Sequence, residues 1–282
     1  MKTIFITLIS FSLLLSCGKN NIDLSFVENL SGNKIVPFGH AGMGISSQFP
    51  INTFESIQCA LAIGAKGVEV DIQMTKDSVL VLFHDKTLQE QTNLDGMIYE
   101  KNWNEINQAI YKNPPFAEYR ILSLNQLFKN IENKKESMFS LDFKLHESNH
   151  PDEYILKHWN ALIKVLNNHD MAENVFIESR RKPYLEKLQE MRPDLKLLFL
   201  EEFEKGFEYT KSMNYYGMII PNSTIDAEQI KEAHHAGLRI GLFGLLTKNE
   251  NLDAIQKSPD FIQTDKVKYL VDVLKQYQYL YI

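Results

Sequence analysis

The order of apolar and amphipathic segments predicts an α/β protein, a single-domain TIM (β/α)8 barrel. Short apolar runs alternate with amphipathic stretches about eight times over roughly 240 residues, the rhythm and length of a sheet in which a helix follows each strand. Polar residues also gather at the C-terminal ends of the expected strands, where the mouth of such a barrel lies. A doubly wound open sheet is the rival, but no glycine-rich phosphate loop follows a first strand.

The elements follow in order. Residues 34–39 form the first expected strand. Residues 53–63 have helical spacing and stop at Gly64, a C-cap. Residues 67–73 and 79–84 are strands separated by the turn-like Thr75-Lys76-Asp77-Ser78, which suits a hairpin-like extension. Residues 86–122 have no clear period, contain Asn113-Pro114-Pro115, and are expected to form an excursion over one barrel end. Beyond them, helices are expected at 124–133, 152–168, 184–191, 226–236 and 267–276. Strands are expected at 137–145, 174–178, 195–200, 217–221, 239–243 and 261–263.

The chain has 282 residues, 44% hydrophobic and 23% charged, as in ordinary globular proteins. A net charge of -6 without any basic block speaks against nucleic acid as a partner, and nothing indicates a protein partner. Lys2 precedes an apolar run from Ile4 to Leu15, too short for a bilayer span and typical of a secretory signal. The run ends Leu14-Leu15-Ser16-Cys17-Gly18, which resembles the bacterial lipobox. Residues 1–16 are therefore expected to be a lipoprotein signal peptide and Cys17 the lipidated residue. Residues 17–33 would be a polar tether, and the protein would sit in the bacterial envelope, facing the periplasm or cell surface. The remaining Cys59 is expected to be buried packing on a helix.

The stretch Gly67-Val-Glu-Val-Asp-Ile-Gln-Met-Thr-Lys-Asp77 sets Glu69 and Asp71 two apart in an apolar strand, where charge is costly. Residues i and i+2 of a strand face the same way, so Glu69 points with Asp71, and Asp142 with Lys144. Clustered carboxylates suit one hard divalent cation, Ca2+ or Mg2+. His40 and His84 end strands, and two histidines flanking a metal can act as general acid and base near neutral pH. Lys144 beside such a metal can neutralise a phosphate. Together the set fits cleavage of a phosphate ester. The plainer readings are outward polar positions for Glu69 and Asp71, a core histidine for His84, and a structural Asp142–Lys144 pair. The other histidines, 146, 150, 158, 169, 234 and 235, read as loop or helix-surface residues without a role.

These residues resemble the glycerophosphodiester phosphodiesterases, metal-dependent enzymes on a TIM barrel. The family's H-R-G is His40-Ala41-Gly42 here, its P-E-N-T is Pro50-Ile51-Asn52-Thr53, and its F-H-D is Phe83-His84-Asp85. The block from Gly67 to Asp77 matches almost throughout, and E-x-K appears as Asp142-Phe143-Lys144. A weaker likeness runs through Gly237 to Thr247 and Gln263-Thr264-Asp265. The resemblance implies His40 and His84 as the catalytic acid–base pair. It implies Glu69, Asp71 and Asp142 as metal ligands and Lys144 as a phosphate contact. Ala41 stands where the family places an arginine near the phosphate, Ile51 removes a carboxylate, and Asp142 replaces Glu, as in the related sphingomyelinase D-like phospholipases. The expected activity is hydrolysis of glycerophosphodiesters to glycerol phosphate and an alcohol through a cyclic phosphate. The alternatives are a lyase that releases the cyclic phosphate and a non-catalytic envelope lipoprotein that binds a phosphorylated headgroup.

Overall fold

A computed structural model of the protein describes residues 24–112, 119–146 and 151–282. The signal segment and Cys17 lie outside the described residues. Eight parallel strands run β1 (Val36–Gly39), β2 (Gly67–Met74), β5 (Met138–Phe143), β6 (Val175–Ser179), β7 (Lys196–Leu200), β8 (Gly217–Pro221), β9 (Arg239–Leu245) and β10 (Phe261–Thr264). β1 pairs with both β10 and β2, which closes the ring. Helices α1 (Phe54–Ile63), α3 (Leu124–Asn130), α4 (Pro151–His169), α5 (Lys182–Met191), α6 (Phe203–Ser212), α7 (Ala227–His235), α8 (Lys248–Gln256) and α9 (Val267–Gln276) follow the strands in turn. The (β/α)8 expectation holds.

Strand alternation builds two cores. The outward residues Val68, Val70, Ile72 and Leu141 are fully buried against helices on one side, as are Ile220, Ile240, Leu242 and Ile262 on the other. Inward, Val36, Phe38, Phe176, Leu198, Ile219 and Phe261 fill the barrel. Phe38, Phe176 and Phe261 meet with centroids 5.2 to 6.1 Å apart. Gly67 makes room for this layer, since a Cβ there would lie 2.5 Å from the Phe38 ring. Towards the mouth the same inward rows turn polar. Phe176 is followed by Glu178, Phe261 by Gln263, and Gly67 by Glu69 and Asp71.

The hairpin-like extension is present. β3 (Leu80–Leu82) pairs antiparallel with β2, and β4 (Leu122–Ser123) with β3. Between them the excursion carries two short 3-10 turns and the four-residue helix α2 (Trp103–Ile106). It has its own core of Val81, Phe83, Leu88, Ile98, Ile106, Ala109, Tyr111 and Ile121. Residues 113–118, with the Asn-Pro-Pro run, lie outside the described residues.

Residues 24–33 of the expected tether lie against the end of the barrel opposite the mouth. Leu24 and Val27 are buried with Ile230 and Ala233 of α7. Asn29 Nδ2 donates to the carbonyls of Lys34 and Pro259, each at 2.8 Å. No described helix is long and apolar enough to cross a membrane.

Three sequence expectations are corrected. α6 and α8 fall where no helix was expected. Cys59 is half-buried on α1 rather than sealed in the core. One histidine read as a surface residue is inside: His158 is fully buried, whereas His234 stays part-exposed on α7 with Nε2 2.9 Å from Asp260 Oδ2.

Candidate active site at the barrel mouth

The loop after β1 is built to present His40. Gly42 has φ 98, and a Cβ there would lie 2.4 Å from Ser56 Oγ. Ala41 has φ 47, is fully buried, and its N–H donates to Glu69 Oε2 at 2.9 Å. The strained turn thus binds the first histidine loop to the first carboxylate. Asn52, at φ 62, does the same for Asp71. Its Nδ2 donates to Asp71 Oδ2 at 2.7 Å, and its Oδ1 accepts from the Asp71 N–H at 3.0 Å. Asn tolerates the left-handed region better than most residues. Thr53 then caps α1 by accepting from the Ser56 N–H.

Glu69, Asp71 and Asp142 come together with one oxygen of each within 4.8 Å of the others. β2 and β5 pair in register, Asp71 opposite Asp142, which places the three side by side. Lys144 Nζ lies 2.5 Å from Asp142 Oδ2 and 3.0 Å from Asp71 Oδ1. The structural pairing of Lys144 with Asp142 is therefore real, and it extends to Asp71. One ammonium does not neutralise three carboxylates. Burial, then the charge of Asp71, pushes Glu69 well above the ordinary carboxylate range. Burial raises Asp142 as well, despite Lys144. Burial works against an ionised Asp71 too, but Lys144, His84 and the Asn52 hydrogen bond outweigh it and hold Asp71 low. This surplus of negative oxygen donors fits a hard divalent cation.

Each catalytic candidate has a carboxylate on Nδ1. His40 Nδ1 lies 2.8 Å from Asp265 Oδ1, and His84 Nδ1 lies 2.8 Å from Asp85 Oδ1. Asp85 is in turn held by Gln91 Nε2 at 2.5 Å, and its carbonyl by Gln73 Nε2 at 2.8 Å. Both rings are thereby oriented with Nε2 left for other contacts. Burial alone would lower His40, but the Asp265 hydrogen bond and the charges of Glu69, Asp265 and Asp71 raise it to about 9.

Beneath the triad, Glu178 reaches Ser140 of β5 and, across the barrel, Gln263 Nε2 of β10 at 2.5 Å. Burial, then the charge of Asp142, pushes it up to about 8. His146 Nε2 lies 3.4 Å from the His84 carbonyl, which brings a third histidine to the mouth. A cavity of about 470 Å³ beside Asp265 and one of about 250 Å³ beside Gln91 flank the loop 45–49.

The structure brings together every expected site residue among those described: His40, Glu69, Asp71, His84, Asp142 and Lys144. Sequence reading gave no role to Asn52, Asp85, Asp265 and Glu178. Asn52, Asp85 and Asp265 stood inside quoted motifs, so their signal was available. Glu178 had only its place on an apolar strand.

The sequence profile of the Glycerophosphoryl diester phosphodiesterase family matches residues 43–269. A glycerophosphodiester phosphodiesterase of Caldanaerobacter subterraneus subsp. tengcongensis is 26% identical over 241 residues, covering 84% of this chain and 97% of that one. Among solved structures, an Oleispira antarctica phosphodiesterase in complex with the product sn-glycerol-3-phosphate superposes with a TM-score of 0.76 at 21% identity, covering 86% and 97%. A glycerophosphodiester phosphodiesterase from Parabacteroides distasonis gives 0.74 at 18%, covering 87% and 98%. The structural likeness speaks for the barrel, and the profile speaks for the lineage. With a match over most of its length, the chain belongs to the glycerophosphoryl diester phosphodiesterase family, a family of phosphoric diester hydrolases.

Proposed function

We propose that the protein hydrolyses glycerophosphodiesters to glycerol phosphate and an alcohol with the help of one divalent cation, Ca2+ or Mg2+. The observation that carries this reading is the convergence of two carboxylate-paired histidines on one acidic triad at the barrel mouth. Glu69, Asp71 and Asp142 would hold the cation, which when bound would draw charge from the phosphate. Lys144 adds a positive charge at the same place.

One histidine takes the proton from the glycerol hydroxyl next to the phosphodiester. That oxygen bonds to phosphorus, the bond to the leaving alcohol breaks, and the other histidine gives the departing oxygen its proton. A cyclic phosphate results. Water then opens the ring, with the two histidines exchanging roles. The Nδ1 partners Asp265 and Asp85 keep each ring aligned through both half-reactions. A lyase would stop at the ring. The Asp142-x-Lys144 pattern favours that second reading.

The test is turnover of glycerophosphocholine, glycerophosphoethanolamine and glycerophosphoinositol by EDTA-treated protein with Ca2+ or Mg2+ restored, followed by phosphorus NMR. Metal-dependent release of glycerol phosphate supports hydrolysis. Accumulated cyclic phosphate supports the lyase. No turnover on any of the three overturns the proposed substrate class.

We further propose that Cys17 carries a lipid anchor in the bacterial envelope, on the strength of the run that precedes it. Cys17→Ser should move the protein from the membrane fraction to the soluble one. Retention in the membrane would refute the anchor.

A further inference from the structure

The proposed function leaves one guanidinium at the mouth without a task. β5 and β6 pair with Asp142 opposite Glu178. Two residues beyond these come Lys144 and Arg180, each just past the mouth end of its strand. Glu178 points into the barrel, towards Ser140 and Gln263. Arg180 follows the last residue of β6 and is exposed. It acts through space on Asp142, favouring the ionised carboxylate.

Its neighbours are differently engaged. Arg181 Nη2 donates to the Leu145 carbonyl at 3.0 Å, tying the β6–α5 loop to the end of β5. Lys144 is shared between Asp142 and Asp71 at 2.5 and 3.0 Å. Among the described residues, Arg180 makes no hydrogen bond or ion pair of its own. In the loop after β1, residue 41 offers only a methyl group, and that methyl is fully buried.

A phosphodiester over the triad has phosphoryl oxygens that need donors besides a cation. A guanidinium presents two parallel N–H groups to two such oxygens, a geometry an ammonium lacks. We propose that Arg180 grips the phosphoryl oxygens of the substrate from the β6 side of the mouth, supplying the contact that Ala41 cannot make. This inference rests on the proposed function, because it takes a phosphodiester as the ligand.

The experiment measures binding of sn-glycerol 3-phosphate by calorimetry to the full chain loaded with Ca2+ or Mg2+, alongside kcat/KM on the diesters. Arg180→Ala should weaken binding by about tenfold or more, the usual effect of losing a charged hydrogen bond. Arg180→Lys should recover only part of it. Guanidinium chloride at millimolar concentration should restore binding to Arg180→Ala and leave the wild type unchanged, a rescue that a merely structural role would not give. Unchanged affinity in Arg180→Ala overturns the inference. Binding that depends on Arg180, without turnover of any diester, keeps the phosphate grip and removes the proposed function. Turnover that is indifferent to Arg180 does the reverse. A wild type that neither binds nor cleaves removes both.

Discussion

The two histidines at the mouth use one device built in two ways. Each has Nδ1 at 2.8 Å from an aspartate oxygen. His84 takes its partner from the next residue, and the pair is open: the side chains are 48% and 19% exposed. His40 takes its partner from 225 residues away, and Asp265 is only 2% exposed. A local pair forms wherever the β3 end forms. The distant pair exists only in a closed ring, because β1 meets β10 there. Buried charge is also harder to replace than exposed charge, so equal distances do not imply equal consequences.

The largest test of this comparison is removal of the rings themselves. His40→Ala and His84→Ala should each lower kcat by about 10²- to 10⁴-fold, with circular dichroism unchanged. Near wild-type rates in either variant would break the equivalence of the two sites. Next come their partners. Asp265→Asn should cost more in kcat/KM than Asp85→Asn and should also lower the melting temperature, since an unpaired buried partner costs about 1–3 kcal/mol. Equal losses would mean that burial does not distinguish the two sides.

A smaller effect concerns the triad between them. Ca2+ or Mg2+ at about a hundredfold over Kd should stabilise the wild type by about 2.7 kcal/mol, read as a thermal shift. Glu69→Gln should remove most of that shift, and a persistent shift would place the cation elsewhere.

The last test sharpens the contrast with a histidine that has no carboxylate. His158 is sealed among Phe143, Tyr154 and Tyr184, and burial lowers its pKa to about 3. An unfolded chain takes up this proton below the ordinary value of about 6.5, while the folded one refuses it until about 3. Stability therefore falls as pH drops through that window, by about 1.4 kcal/mol per pH unit from this group. His158→Phe should flatten that part of the acid-denaturation curve, and an unaltered slope would mean the ring is already protonated inside.

The sequence disclosed the barrel because its rhythm of apolar runs is nearly regular, and it disclosed the triad because Glu69 and Asp71 are out of place on an apolar strand. Asp85 was legible in the same way, as the neighbour of a singled-out histidine. Asp265 was visible as a motif residue, but its partner was not, since nothing local connects residue 265 to residue 40. The two missed helices had weaker signals for definite reasons. α6 carries Gly206 in mid-helix, a poor helix former, which is there because the Met218 side chain packs against it. The i,i+4 pair Phe203 and Phe207, stacked at 4.8 Å, was the clue to it. α8 is short and mostly polar, yet Thr247 and Glu250 form a reciprocal capping box that announces its start. His158 misled because a single histidine on an amphipathic helix has no pattern that fixes its direction.

The pairing of β1 with β10 has a consequence in time. Synthesis delivers the chain from its N-terminus, so Glu69, Asp71 and His84 emerge early and the hairpin that carries them can assemble locally. His40 emerges earlier still, but Asp265 belongs to the final stretch of the polypeptide. Until that stretch is available, the first strand has one neighbour instead of two and its histidine has no partner. The two halves of the acid–base pair thus mature at different moments, and a nascent chain cut short before β10 would carry the acidic cluster without a finished His40.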